Sequence, residues 1–256
     1  MDWLKALAPK DQVYRQDLKV YLSAKNFARE VTVIMSLRER ENRIFRKYPK
    51  PIVRDGALGK EYESARRRVL VILKEPNDPD GGWAASGGDS RDFGIKGKPH
   101  PISTWKALAS WSALIDDPSL SFEQINEEVT THEKRVEHLR RIAVVNLKKT
   151  SGKSMSRHSE IRSYAEQHWA LLRDQFRLYK PHLTIAGNVF PIVKEQMDIA
   201  AQQVAIQQVG EERFSFFKHP DFGVFVDFWH PNQRSRSHRE ILNQLKRVLR
   251  YHGFTD

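Results

Sequence analysis

Short runs of apolar and β-branched residues, separated by segments with helical spacing, constrain the fold of this chain more than any other feature. A short apolar run of this kind is typical of a strand that is buried on both faces of a parallel sheet. Another run, Val224–Trp229, alternates apolar and aromatic residues and stops at His230-Pro231, where proline cannot continue a strand ladder. We therefore predict an α/β fold, a three-layer α/β/α arrangement around a mostly parallel central sheet. The other principal strands are predicted at Val69–Leu73, Ile142–Leu147 and His182–Ala186.

The segments around these runs predict the remaining elements. Two further short strands are expected, near residues 204–209 and 213–217. Apolar residues three and four positions apart predict helices, which in several cases end close to a Gly or Pro. The predicted helices within this part of the chain cover residues 102–115, 121–140, 158–180, 189–197 and 236–250.

The amino-terminal part of the chain has a different character. Residues 13–48 contain neither Gly nor Pro and are rich in charged and aliphatic side chains, which predicts one long or two shorter helices. Pro49 and Pro51 end this helical segment. We therefore divide the chain into a helical extension, residues 1–52, and an α/β domain, residues 53–256.

Charge and cysteine usage narrow the classes of function. The 256 residues carry a formal net charge of +11, which favours a polyanionic partner such as nucleic acid, although a solvated basic surface would give the same excess. The chain has no cysteine, which excludes disulfides, thiolate nucleophiles, cysteine-ligated zinc and iron–sulfur clusters. No apolar stretch is long enough for a signal peptide or a membrane span, so we expect a cytoplasmic protein with no membrane partner.

Three familiar catalytic motifs are absent. Gly152-Lys153-Ser154 ends like a phosphate-binding P-loop, but Leu147 occupies the position of the glycine that must begin it. His132 and His138 are six residues apart, which does not place them on one face of a helix, and we expect no metal site. A nucleophile elbow of the G-x-S-x-G type is also missing. We expect the protein to need no cofactor.

Glu75, Asn146 and His230 each lie at the end of a predicted strand. Because the carboxyl ends of parallel strands share one edge of a sheet, we expect these side chains to meet in one crevice. A carboxylate can activate water or stabilise an oxocarbenium ion, an amide can read the edge of a base, and an imidazole can donate to a departing base anion. The set suits hydrolysis of an N-glycosidic bond. Alternatively, His230 only caps a β-to-α turn.

The ordered motifs of this chain resemble the uracil-DNA glycosylase superfamily. They read VLVILKEPN, AVVNLKKTSG and FVDFWHPNQRSRSH, with LTIAGN between the second and the third. The similarity covers about Val69 to Arg250 and leaves out the amino-terminal helices. The resemblance implies a uracil-DNA glycosylase-like fold and a monofunctional DNA glycosylase that acts on a flipped uracil-like or otherwise modified base.

The resemblance also implies roles for individual residues. Glu75 and His230 would be catalytic, Asn146 would bind the base, and Pro76 would shape the loop beside it. Phe93 would stack on the base, although it could equally pack beneath its own loop. The loop after His230 would hold the base out of the duplex. Residues expected to contact DNA are Lys148, Lys149, Lys153, Arg157, Gln233, Arg234 and Arg236.

The long loop after the first motif bears on the choice of base. Six of the thirteen glycines lie between Gly81 and Gly97, which leaves room for a base bulkier than uracil, in repair or in defence against modified phage DNA. Lys74 is the lysine to watch for Schiff-base chemistry. Two alternatives remain: a non-catalytic nucleic-acid-binding protein that retains the fold, and a hydrolase of free nucleosides or nucleotides.

Overall fold

The computed structural model describes residues 35–77, 82–91, 103–152 and 156–254. Phe93 and Lys153, two of the predicted site residues, lie outside these ranges, as does most of the predicted amino-terminal helix. The chain divides into two compact units, Met1–Arg40 and Glu41–Asp256. By this division residues 41–52, which we assigned to the extension, fall in the larger unit, within which Glu41 forms a buried ion pair with Arg91.

In the described part of the first unit, residues 35–40, a reciprocal pair of hydrogen bonds begins a helix. The backbone N–H of Ser36 donates to the carboxylate of Glu39 over 2.8 Å, and the backbone N–H of Glu39 donates to the Ser36 hydroxyl over 3.3 Å. Such an exchange satisfies donors that the first turn of a helix leaves free.

A single sheet organises the larger unit, and within the described ranges it has seven strands in the order β1-β3-β2-β4-β7-β6-β5. The four central strands, β3, β2, β4 and β7, are mutually parallel, whereas β1 and the β5–β6 hairpin add antiparallel edges. The α/β class and the mostly parallel central sheet are thus confirmed. The strands are β1 Gly56–Ala57, β2 Val69–Leu73, β3 Ile142–Asn146, β4 Leu183–Gly187, β5 Ala205–Val209, β6 Glu212–His219 and β7 Gly223–Phe228.

The described helices follow the predicted positions with two exceptions. A short helix, Gly82–Ala85, lies in the segment that was predicted to be a long loop. The single helix predicted over 121–140 is two helices, because Thr131 accepts a hydrogen bond from the Lys134 backbone N–H and begins a new helix there. Ser121 caps the preceding one. The helices are α1 Leu37–Phe45, α2 Gly82–Ala85, α3 Ser103–Asp116, α4 Phe122–Glu128, α5 His132–Leu139, α6 His158–Tyr179, α7 Phe190–Gln196 and α8 His238–Tyr251.

Helices cover both faces of the sheet, as the two sides of β7 show. Phe228 packs edge-on against Trp111 of α3, with ring centroids 5.5 Å apart. Phe225, on the opposite face of the strand, packs against Phe190 of α7 at 5.8 Å. Since alternate residues of a strand face opposite layers, the sheet lies between two helical layers, as a three-layer fold requires.

The strand order sets the position of the site. The carboxyl ends of β3, β2, β4 and β7 lie at one edge, with Leu73 opposite Asn146 and Gly187 opposite Phe228. The chain passes from β2 to β3 on one side of β2, whereas β4 and the later strands β7, β6 and β5 lie on the other side. The connections therefore diverge between β2 and β4, which is the usual ligand position in such sheets.

No helix in the described ranges is long and apolar enough to cross a membrane.

Candidate functional site

The turn after β7 folds back across the sheet edge towards β2. A Cβ atom at Gly187, the last residue of β4, would lie 2.8 Å from Cδ2 of Leu73 and 3.5 Å from Cδ of Pro231. Glycine at position 187 thus leaves room for the Leu73 side chain, while Pro231 approaches the end of β4 at an ordinary van der Waals distance. This approach brings His230 into electrostatic range of Lys74, the residue that follows β2.

His230 is held as a neutral hydrogen-bond donor. The backbone N–H of Asn232 donates to Nδ1 of His230 over 3.1 Å, so the ring proton is on Nε2. Burial and, to a smaller extent, the charge of Lys74 lower the pKa of His230 to about 4. Within the described residues Nε2 has no partner, which leaves its N–H able to donate to a ligand.

Glu75 is enclosed by the loops after β2 and β3. Lys148 Nζ donates to Glu75 Oε2 over 2.7 Å, and only 5% of the Glu75 side chain is exposed. A Cβ atom at Gly152 would lie 2.4 Å from Glu75 Cγ and 2.6 Å from the Pro76 carbonyl oxygen, so glycine at 152 permits this closure. Glu75 Oε1 has no hydrogen-bond partner in the described ranges and can accept from water or substrate.

Asn146 lies at the same edge, at the end of β3, and is also buried. Its backbone N–H donates to Asp55 Oδ2 over 2.7 Å, and its side-chain Nδ2 donates to the same oxygen over 3.3 Å. Asp55 thus fixes the side-chain amide. The second Nδ2 hydrogen and Oδ1 make no hydrogen bond within the described chain and can meet a base edge.

A network of buried polar side chains holds Asp55, the residue that positions Asn146. Lys149 Nζ donates to both oxygens of Asp55, over 2.7 and 2.9 Å, and neither side chain is exposed. Gln175 Nε2 donates to Asp55 over 3.0 Å and links it to the hydroxyl of Tyr179. We call this network the buried polar cluster: Glu41, Asp55, Arg91, Lys149, Gln175 and Tyr179.

The basic residues predicted to contact DNA have different surroundings. Burial excludes Lys149 from phosphate contact, which corrects that part of the prediction. Arg236 lies over the Trp229 ring and pairs with Glu212 and Glu240, so its charge is already matched. Lys148 forms its ion pair with Glu75.

Arg157 and Arg234 remain as exposed cations near the edge. The Arg157 side chain is 80% exposed and is only 3.6 Å from Glu160, a weak surface pair. Arg234 is exposed and has no ion pair within the described residues. The side chain of Gln233 donates to Ser235 over 2.7 Å, which fixes the loop after His230.

Asp227 is a polar residue of this region that the sequence reasoning missed, although a lone carboxylate in an aromatic strand was an available signal. It lies on β7 opposite Ala186, on the same face as Phe225. Burial raises the pKa of Asp227 to about 6. Within the described ranges, no group of three or more side chains has the composition of a metal site.

We expect Asp227→Asn to stabilise the protein above pH 6. A carboxyl whose pKa is higher in the folded chain than the ordinary 3.8 binds its proton more tightly there. Stability is therefore lost as pH rises from about 4 to about 6, and the neutral amide avoids this loss. Because Asp227 is partly exposed, the gain at pH 8 should be about 1–2 kcal/mol. Urea unfolding at pH 8 and pH 4 tests this; a gain of equal size at both would contradict it.

A comparison of this chain with protein-family models and with curated proteins finds no match.

Proposed function

We propose that the protein is a DNA glycosylase of the uracil-DNA glycosylase type, which hydrolyses the N-glycosidic bond of a flipped, uracil-like or otherwise modified base. The observation that carries the proposal is the neutral His230 ring, folded back over Gly187 to the edge where β2 and β3 end. Such a ring donates a hydrogen bond without carrying charge, which suits an oxygen on which negative charge develops.

The three side chains divide the reaction between them. The oxygen of a water molecule forms a bond to C1′ of the sugar as the bond from C1′ to the base nitrogen breaks, and the base leaves with the electron pair. Glu75 Oε1 orients this water and accepts its proton, and the carboxylate also offsets positive charge on the sugar. His230 Nε2–H stabilises the base anion, and Asn146 binds its edge. The departing base finally takes a proton from solvent.

The surrounding residues support these roles. Lys148 holds Glu75 in place and supplies its counter-charge, whereas Asp55 positions the Asn146 amide. Exposed Arg157 and Arg234 would contact the phosphates of the bound strand. A monofunctional mechanism needs no covalent amine, so Lys74 would act only through its charge beside His230.

Base release from a panel of oligonucleotides tests the proposal. The panel contains uracil, hypoxanthine, xanthine and phage-type modified cytosines, in single and double strands, and alkali reveals abasic sites. We expect cleavage of at least one substrate, and a loss of about 100-fold or more in Glu75→Gln. Glu160→Gln is the matched control, because it removes the other carboxylate near Lys148, at 3.8 Å, and should leave release unchanged.

The same panel, extended by free nucleosides and by a DNA-binding titration at several salt concentrations, separates the alternatives. Salt-sensitive DNA binding that survives Glu75→Gln, with no base released by the wild type, would indicate a binding protein that has only the fold. Hydrolysis of free nucleosides without salt-sensitive DNA binding would indicate a hydrolase of small molecules. Either result would overturn the proposed glycosylase activity.

A further inference from the structure

A second site is formed by the end of α1, residues 50–54, the end of α2 and Gly87. These elements line a groove of about 370 Å³ within the larger unit. Among the described residues that line it, the ionisable ones are all basic: Arg46, Lys50 and Arg54. Three cations, with no carboxylate among these described lining residues, give the groove a potential that favours an anionic ligand.

The cations of this groove are available to a ligand. Arg46 and Lys50 are exposed and form no ion pair or side-chain hydrogen bond within the described residues. Arg54 is held more firmly, since its Nη2 donates to the Gly87 carbonyl over 3.1 Å and its Nε is 3.6 Å from Asp89. One fixed and two adaptable cations can surround a phosphate group.

The wall between the cations is apolar and rigid. Phe45, Ile52 and Ala84 line it and are almost fully buried, so they form a packed surface rather than a loose flap. Asn42, at one side, accepts a hydrogen bond from Arg91 Nη2 at 3.0 Å through Oδ1. Its Nδ2 therefore keeps both hydrogens for a ligand within the described chain. A preformed apolar wall with a few polar groups is typical of small-ligand sites.

We propose that this groove binds one nucleotide unit. Arg46 and Lys50 bind its phosphate together with Arg54, the sugar or base packs on the wall of Phe45 and Ile52, and Asn42 donates to a polar edge. The unit is either part of a DNA strand or a free nucleotide. We favour the strand because the groove adjoins the loop that follows β3: the N–H of Val53, between the lining residues Ile52 and Arg54, donates to the Lys149 carbonyl over 2.8 Å.

One charge-reversal variant with a matched control tests the groove, and the test does not depend on base release. The variant is Arg46→Glu/Lys50→Glu. The control is Lys218→Glu/Arg250→Glu, two exposed cations on β6 and α8. The probes are an unmodified single-stranded oligonucleotide of about thirty residues and adenosine monophosphate, each titrated at several salt concentrations. Thermal unfolding monitored by circular dichroism checks that both variants remain folded.

We expect the groove variant to bind the oligonucleotide about tenfold or more weakly, with a salt slope reduced by about one to two, and the control to change less than about twofold. If the groove variant loses monophosphate binding but binds the oligonucleotide normally, the groove is a binding site whose ligand is a free nucleotide. If neither probe distinguishes the groove variant from the control, the proposal is wrong. Loss of oligonucleotide binding in a protein that releases no base would leave the groove standing while the glycosylase proposal fails.

Discussion

Replacement of His230 by alanine is expected to slow base release by about 100- to 1000-fold, with little change in DNA affinity. The Nε2–H donor meets negative charge that develops only as the glycosidic bond breaks, so its loss affects the transition state more than the bound state. The measurement is the single-turnover rate on the best substrate of the panel, beside a titration of the same oligonucleotide.

His219 provides a matched control for this substitution. The backbone N–H of Asp221 donates to Nδ1 of His219 over 3.1 Å, in the same local turn that Asn232 forms with His230. His219 pairs with Gly223, the first residue of β7, and so lies at the opposite edge of the sheet. If His230 only caps a turn, His219→Ala and His230→Ala should both leave base release almost unchanged, and this outcome would contradict the catalytic role.

The pH dependence of the rate of base release is a second test of the His230 ring. Because the pKa of His230 is about 4, the ring stays neutral throughout pH 5–8. The rate should therefore show no inflection from this histidine near its ordinary pKa of 6.5. Its folded pKa lies below the unfolded value, so its contribution to stability is complete above pH 6.5 and is lost as pH falls towards 4.

Replacement of Asp55 by alanine should destabilise the larger unit by about 3–5 kcal/mol, the largest stability effect that we expect. The substitution leaves the Lys149 ammonium group fully buried without its counter-ion. It also removes the acceptor that positions Asn146, so base release should fall even under conditions in which the variant is folded. Urea unfolding measures the first effect and single-turnover kinetics the second.

Two comparisons separate the effect of the unpaired buried charge of Lys149 from the other effects of the substitution. Asp116→Ala removes the partly exposed partner of the exposed Arg141 and should cost less than about 1 kcal/mol. In Asp55→Ala, burial lowers the pKa of Lys149 and the charge of Glu41 remains as a weaker opposing effect, so the folded chain binds fewer protons than the unfolded chain. The free energy of unfolding of the Asp55→Ala variant should then rise as the pH increases towards 10.5, the ordinary pKa of lysine. A loss that is equal at pH 6 and pH 9 would contradict this account.

Most of the framework could be predicted from local sequence. The run VLVIL is β2 with the predicted bounds, and Val224–Trp229 differs from β7 by one residue at each end. The break between α4 and α5 was missed because charged residues lie on both sides of the short uncharged segment 129–131, whereas the Thr131 cap is a competing local signal. The order of these strands in the sheet could not be predicted from sequence, because neither run specifies which strand lies beside it.

The site was harder to predict because its supports are distant in sequence. Lys148 and Lys149 look alike in the chain, yet one pairs with Glu75 and the other with Asp55, 94 residues earlier. Asp55 lies between Arg54 and Gly56, and nothing in this local sequence indicates that its side chain is buried. Burial of a charge depends on which distant element supplies the counter-ion, and a single sequence does not contain that pairing.

Analysis of the reaction products tests the central claim most directly. A modified oligonucleotide incubated with the wild-type protein would be resolved by mass spectrometry into its base and strand. We expect equal amounts of free base and of an intact abasic strand, with no adduct trapped by borohydride. Absence of free base across the panel would contradict glycosidic hydrolysis. A borohydride-trapped adduct that disappears in Lys74→Ala would contradict the monofunctional mechanism.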